Sequence, residues 1–351
     1  MSTQQLLSIA LILTIAIPSL SACALAQVSD KPIRIGMIGL DTSHSIAFTK
    51  LMNDPKAVGP LKKCRVVCAY PQGSADIASS ASRIPKYTQE IKSMGVEIVD
   101  SIDGLISKVD AVLLETNDGR IHLEQAIPVL KAGKPVFIDK PIAASLVDTI
   151  AIFEAARHFG TPVFSSSSLR FAKPAIAARK GELVGKVFGC ETFSPAKLEP
   201  THPDLYWYGI HGVEQLFTVM KGGCVSVSRT STASTDVVVG TWKDGRLGSF
   251  RGLRSGKAGY GGTVFGEKGT ASSGGYEGYA ALVNEIGLFF ETQQPPVTAD
   301  ETIEIYAFMS AADESKKREG ASILITDVLE PAKREAAKRL LSFGVELALK
   351  K

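Results

Sequence analysis

The chain has 351 residues, 45% of them hydrophobic and 21% charged, with a formal net charge of +3. That is room for two full cores, and it excludes a mainly disordered chain. Its basic residues are scattered except in "ESKKREG" and "AKREAAKR", where signs alternate as on solvated helix faces, so nothing selects nucleic acid as a partner.

The opening stretch, "LLSIALILTIAIPSLSACALAQ", has an apolar core too short to span a bilayer, followed by small residues. This predicts an export leader over residues 1–26; the competing reading, a buried helix, fits the polar "QVSD" that follows less well. Two cuts stay open. "ALA" before Gln27 suits an ordinary signal peptidase, whereas "LSAC" resembles a lipobox that would place lipid on Cys23, the one link to a membrane. The expected location is bacterial, exported, and periplasmic or envelope-anchored. Of the remaining cysteines, Cys64 and Cys68 lie four apart on a predicted strand, about 13 Å from each other, and cannot pair. With Cys190 and Cys224 they read as small buried hydrophobes.

From 33 to 165, β-branched runs ("IRIGMIGL", "CRVVCAY", "VEIVD", "DAVLLET", "KPVFID", "TPVFSSS") alternate with helical patterns such as "RIHLEQAIPVLKAG" and "SLVDTIAIFEAARHFG". Near-continuous apolar strands joined by amphipathic helices predict an α/β, Rossmann-like, doubly wound parallel sheet. Over 166–330 the rhythm changes to alternating runs joined by turn signals at "KDGR" and "GEKG". This predicts an α+β substrate and oligomerisation domain with an open, mainly antiparallel sheet. A C-terminal helix is expected over 331–351.

A ligand of a doubly wound domain sits at the carboxyl ends of the strands. The loop there reads "IGLDTSHS": of the three glycines of a dinucleotide turn only Gly39 is present, and Asp41 and His44 hold the other two places. A carboxylate about 4 Å from a phosphate charge would cost roughly 4 kcal/mol at an effective dielectric near 20. Asp41, Thr42 and Ser43 are also good helix caps that compete for the amides a phosphate would use. No acidic residue stands at the second strand's tip. The chain reads "CAYPQGS", where Tyr70 either stacks on an adenine or roofs the sheet.

The fifth strand ends in "AGKPVFIDKPIA", with Lys140 between Asp139 and Pro141, where an ammonium can donate to a hydroxyl and relay its proton. The segment "LLETNDGRIHLEQAIPVLKAGKPVFIDKPIA" resembles the Gfo/Idh/MocA family, named for glucose-fructose oxidoreductase, inositol dehydrogenase and rhizopine catabolism. The resemblance implies a Rossmann domain followed by an open-sheet domain, NAD or NADP as cofactor, and oxidation or reduction of pyranose or cyclitol hydroxyls. It implies that Lys140 is the catalytic lysine, that Asp139 stands where the family has Glu, and that Asn117 and His122 border the nicotinamide. His211, in "LYWYGIHGVEQLF", fits the histidine of the family's D-x-x-x-H helix, although position 207 is Trp.

The expected catalytic pair is therefore Lys140 and His211. The expected cofactor contacts are Gly39, Asp41, Thr42, Ser43, His44, Tyr70, Asn117, His122, Asp139 and Pro141. Arg170, Trp207 and Tyr208 join the pair on the substrate; Arg170 either clamps an anionic group or forms an inter-domain ion pair. Asp41, His44, Glu115, His122 and His211 map to one rim, but no tight spacing argues for a metal, and none is expected. Three functions compete: an NAD(P)-dependent sugar oxidoreductase holding its cofactor tightly, a dinucleotide-independent lyase, hydrolase or epimerase on an oxidised sugar using the same Lys/His pair, and a non-catalytic sugar-binding lipoprotein. The family's habit of pairing open sheets implies a homo-oligomer.

Overall fold

The computed structural model describes residues 31–347; the expected leader lies outside the described residues. β1 (Ile33–Ile38) leads to α1 (Ser43–Met52), β2 (Cys64–Tyr70), α2 (Ala78–Ala81) and α3 (Ile84–Ser93). There follow β3 (Glu97–Ile98), α4 (Ile102–Ile106), β4 (Ala111–Leu114), α5 (His122–Lys131), β5 (Val136–Ile138), α6 (Leu146–Phe159) and β6 (Val163–Phe164). These six strands pair in parallel in the order β3-β2-β1-β4-β5-β6. Every residue of β4 and β5 is buried, because helices cover both faces. The strand order reverses beside β1, which opens a crevice at the carboxyl ends of β1 and β4.

Local signals account for most helix ends. Ser145 Oγ accepts the Asp148 N–H at 2.9 Å to start α6, and Gly160, at φ 66°, ends it. α3 and α4 were not anticipated: α4 is a five-residue helix, and α3 buries only Ile91, too little of an apolar face to read.

The chain then forms α7 (Lys173–Lys180), β7 (Val187–Pro195), α8 (Ile210–Met220), the meander β8 (Cys224–Ser231), β9 (Thr235–Trp242) and β10 (Leu247–Leu253), and the hairpin β11 (Gly261–Gly266) and β12 (Gly269–Ser272). After α9 (Ala280–Thr292) and α10 (Ala299–Lys317) come β13 (Ile323–Leu324) and α11 (Ile325–Leu341). The second sheet runs β12-β11-β7-β10-β9-β8-β13 and is antiparallel except where β7 meets β10. The expected turns are present, with Gly245 at φ 85° in "KDGR" and Gly269 at φ 116° after "GEK". The helices α8 and α10 cover one face of this sheet.

Two details differ from expectation. The cores do not divide where the sequence rhythm changes: Leu282, Val283, Ile286 and Phe289 of α9 pack with Ile35 and Phe137 of the first sheet and with Phe48 of α1, and α11 packs on α6. Periodicity reveals an apolar face but not the surface it covers. The last helix begins at Ile325, not at 331, and carries Pro331 inside it. Cys64, Cys68, Cys190 and Cys224 are free and buried, as expected, and no described helix is long and apolar enough to cross a membrane.

Candidate active site

At the end of β1, Gly39 takes φ 93°. A Cβ there would collide with the backbone of Thr116, so glycine is required by the close approach of the exit of β4. Asp41 is fully buried. Its Oδ1 accepts the Asn117 N–H at 2.9 Å, its Oδ2 accepts the Ser80 hydroxyl at 2.6 Å, and Arg83 Nη1 donates to its carbonyl at 3.3 Å. Burial pushes its pKa up to about 6. The carboxylate thus joins the loops after β1, β2 and β4 and does not line the cavity, which removes the repulsion expected of it. Thr42 caps α1, accepting the His44 N–H at a long 3.4 Å.

Beside this loop lies a cavity of about 390 Å³ between the strand ends and the second domain. Thr42, Ser43, His44, Ser79, Arg83, Asn117 and Lys140 line it from the first domain. The far wall holds Lys197, Trp207, Tyr208 and His211 with Tyr260, Tyr276 and Tyr279. Three of its lining residues carry basic side chains, Arg83, Lys140 and Lys197, and no Asp or Glu is among them. Such a wall selects an anionic or hydroxyl-rich ligand.

Lys140 and His211 face this one space. Lys140 follows β5, joined to Pro141 by a cis peptide, and its Nζ lies 6.0 Å from the Tyr208 ring centre. His211 opens α8; its Nδ1 lies 2.8 Å from Ser167 Oγ, which also accepts the Leu169 N–H at 3.2 Å. Nε2 has no partner among the described residues. Burial first, and then the Lys140 charge, hold the imidazole well below its ordinary pKa. Where the family pattern has an Asp, Trp207 instead packs on His202 with ring centres 4.8 Å apart, and it is Ser167 that orients His211.

Other expected contacts lie off the cavity. Tyr70, Gly39, Pro141, His122 and Arg170 are not among its lining residues. His122 is fully buried with Nδ1 3.1 Å from the Ile142 carbonyl and Nε2 2.6 Å from that of Thr116, which ties the exits of β4 and β5 together. Of the two readings of Arg170, the ion pair is the one formed: its Nε meets Glu214 at 2.6 Å and its Nη1 meets Glu301 at 2.7 Å. Asp139 is buried under His44, with Oδ2 2.7 Å from His44 Nδ1. The residues that sequence reasoning missed are Ser79, Arg83, Ser168, Leu169, Lys197 and the three tyrosines on the cavity, and Ser167 behind His211. Only "GGYEGYA", with two aromatics set among glycines, offered a signal.

Residues 33–166 match the family described as "Oxidoreductase family, NAD-binding Rossmann fold". This is the family that the lysine segment resembles, and the match covers the parallel-sheet part of the chain. Over 113 residues the chain is 32% identical to 1,5-anhydro-D-fructose reductase of Ensifer adhaerens, covering 32% of this chain and 33% of that protein. Over 134 residues it is 27% identical to 2,7-anhydro-N-acetylneuraminate hydratase of Escherichia coli (strain K12), covering 36% and 32%. The matched stretches thus span about a third of the length of these curated relatives. The structure of scyllo-inositol dehydrogenase from Lactobacillus casei with bound NAD(H) and scyllo-inositol aligns with a TM-score of 0.66 at 16% identity, covering 84% of this chain and 100% of that one. At that identity the likeness establishes the fold.

Proposed function

We propose that this protein is an exported enzyme that oxidises or reduces a hydroxyl of a pyranose or cyclitol with tightly held NAD or NADP. The observation that carries the reading is that Lys140 and His211 line one cavity together with a wall of tyrosines suited to sugar rings. The dinucleotide fits the donor set. Thr42 and Ser43 with the first-turn amides of α1, the Arg83 guanidinium and Asn117 would hold it, and the Asp41 carboxylate is turned away. When bound, it supplies the hydride acceptor or donor.

The remaining chemistry belongs to the chain. His211 is neutral at neutral pH and its Nε2 is unengaged, so it takes the hydroxyl proton as general base. Lys140 donates a hydrogen bond to the same oxygen and stabilises the charge that develops there. The tyrosine wall holds the ring and excludes water. Protonating His211 beside the Lys140 charge is unfavourable, which favours passing the proton on.

A second reading is an enzyme that uses the same pair without a dinucleotide. It is favoured by the segment after β2, where a Cβ on Gly73 would press on both Ser80 and Asp41, leaving the adenosine side of the crevice close-packed. The experiment is to denature the purified protein and examine the supernatant by absorbance and mass spectrometry. Released NAD(P)(H), or a thermal shift from added NAD or NADP, supports the first reading; neither, with turnover of an oxidised sugar, supports the second. Pairing of two copies through the open face of the second sheet, where Phe188, Phe193, Leu247 and Phe265 are exposed around a shallow concavity, completes the proposal.

A further inference from the structure

We infer that His44, Glu115 and Asp139 bind one divalent first-row transition cation, Zn²⁺ or Mn²⁺, beneath the floor of the cavity. Glu115 and Asp139 directly follow the adjacent strands β4 and β5, and His44 lies in the first turn of α1, which follows their neighbour β1, so the parallel sheet brings the three together. One ligand atom from each lies within 4.8 Å of the others. Donor atoms that share such a cation sit roughly 3 to 4 Å apart, which small side-chain movements achieve.

The independent observation is the state of the carboxylates. Glu115 is wholly buried, and neither of its oxygens has a hydrogen-bond partner among the described residues. Asp139 Oδ1 is buried and unpartnered as well, while Oδ2 meets His44 Nδ1. Buried polar atoms are almost always satisfied, and an unpaired buried carboxylate is among the most costly groups to leave bare. A divalent cation neutralises both carboxylates, occupies their free oxygens and takes the imidazole nitrogen, leaving a neutral cluster.

The donor set fixes the class of ion. One imidazole and two carboxylates without a thiolate suit Zn²⁺ or Mn²⁺ and not a soft ion such as Cu(I). The cation would lie behind the cavity wall, where it pins His44 and the residue preceding Lys140.

The test is metal content. The purified protein is stripped with a chelator, reloaded separately with ZnCl₂ and MnCl₂, desalted and measured by elemental mass spectrometry, with electron paramagnetic resonance for Mn²⁺. The expected result is about one equivalent of one of the two ions and a raised melting temperature. Glu115→Gln should weaken binding at least about tenfold, and His44→Ala serves as a second variant should the first fail to fold. The inference is overturned if the wild-type protein retains neither ion, or if Glu115→Gln and His44→Ala bind as the wild type does. A wild type without metal in which Glu115→Gln is more stable identifies a shared proton in place of the cation. Nucleotide release is a separate readout, so this outcome and that of the redox reading are distinguishable.

Discussion

The Asp41 carboxylate accepts the backbone N–H of Asn117 at 2.9 Å, across the gap between the loops after β1 and β4. A residue that stands where a phosphate-binding glycine is expected is therefore a strut of the crevice. Asp41→Ala leaves the buried Asn117 amide and the Ser80 hydroxyl proton without an acceptor, and should cost about 2–4 kcal/mol in urea denaturation. Nucleotide affinity, measured by calorimetry, should not rise. A large gain in affinity for NAD or NADP would mean that the carboxylate repels phosphate after all.

Lys140 and His211 are cavity residues whose replacement should spare the fold. Lys140→Ala and His211→Asn are expected to keep the melting temperature while lowering turnover of the sugar substrate about 10²–10⁴-fold. Ser167→Ala should act through His211, lowering kcat more than it raises KM. Equal losses in a variant of Tyr260, whose ring lies 5.8 Å from that of His211 but which has no proton role here, would argue against the assignment.

The sheet, the lysine after β5 and the histidine of α8 were legible because each carries a local signature: an apolar run, a strand-end "DKP", a helix start. The orientation of Asp41 was not, since nothing in "GLDTSHS" says that Asn117 and Ser80 sit inward of it. The same holds for Glu115. It follows a buried strand and was mapped to the rim by position, but its proximity to Asp139 arises from β4 and β5 pairing, which sequence spacing does not encode. Arg83 and the tyrosines reach the cavity from loops, where side-chain direction depends on turns with no period.

Arg170 shows what a buried ion pair contributes. Its side chain is nearly inaccessible, and it bridges Glu214 of α8 to Glu301 of α10. Arg170→Met leaves Glu214 buried without its counter-charge and should destabilise the protein by about 3–5 kcal/mol. KM should stay within about twofold, because the guanidinium is not a cavity group; a selective loss of substrate affinity at unchanged stability would restore it as a clamp.

Stability should fall with acid through His202. Its Nε2 accepts the Gly119 N–H at 3.1 Å, so the 3.5 Å approach to Asp118 is not an ion pair and protonation breaks a buried hydrogen bond. Burial outweighs the attraction of Asp118 and holds the pKa down to about 4. The unfolded chain, with an ordinary histidine near 6.5, therefore binds the proton first. The contribution is complete above about pH 6.5 and is lost as pH falls toward 4, amounting to about 3 kcal/mol at most. Asp41, raised to about 6, acts in the opposite sense, losing stability as pH rises from about 4 to 6, so the comparison must be made against a variant. Urea midpoints of the wild type and His202→Gln should converge as pH is lowered from 7 to 4.5. Parallel curves would place the titration elsewhere.

The open face of the second sheet predicts association. Phe188 on β7 and Leu247 on β10 are each more than half exposed, 54% and 56%, and sit beside Phe193 and Phe265 on the same shallow concavity. Contiguous exposed apolar surface of this kind marks a contact in folded proteins, and a flat face suits an identical partner under two-fold symmetry. Light scattering on the wild type should give the mass of at least two chains. Phe188→Glu combined with Leu247→Glu places two carboxylates on each side of that contact and should raise the dissociation constant at least about tenfold, while the melting temperature measured on the dilute, dissociated protein stays close to that of the dissociated wild type. A wild type that is monomeric at micromolar concentration would show instead that this face serves a different partner or none, and the catalytic reading would be unaffected, because no residue of the concavity lines the cavity that holds Lys140 and His211.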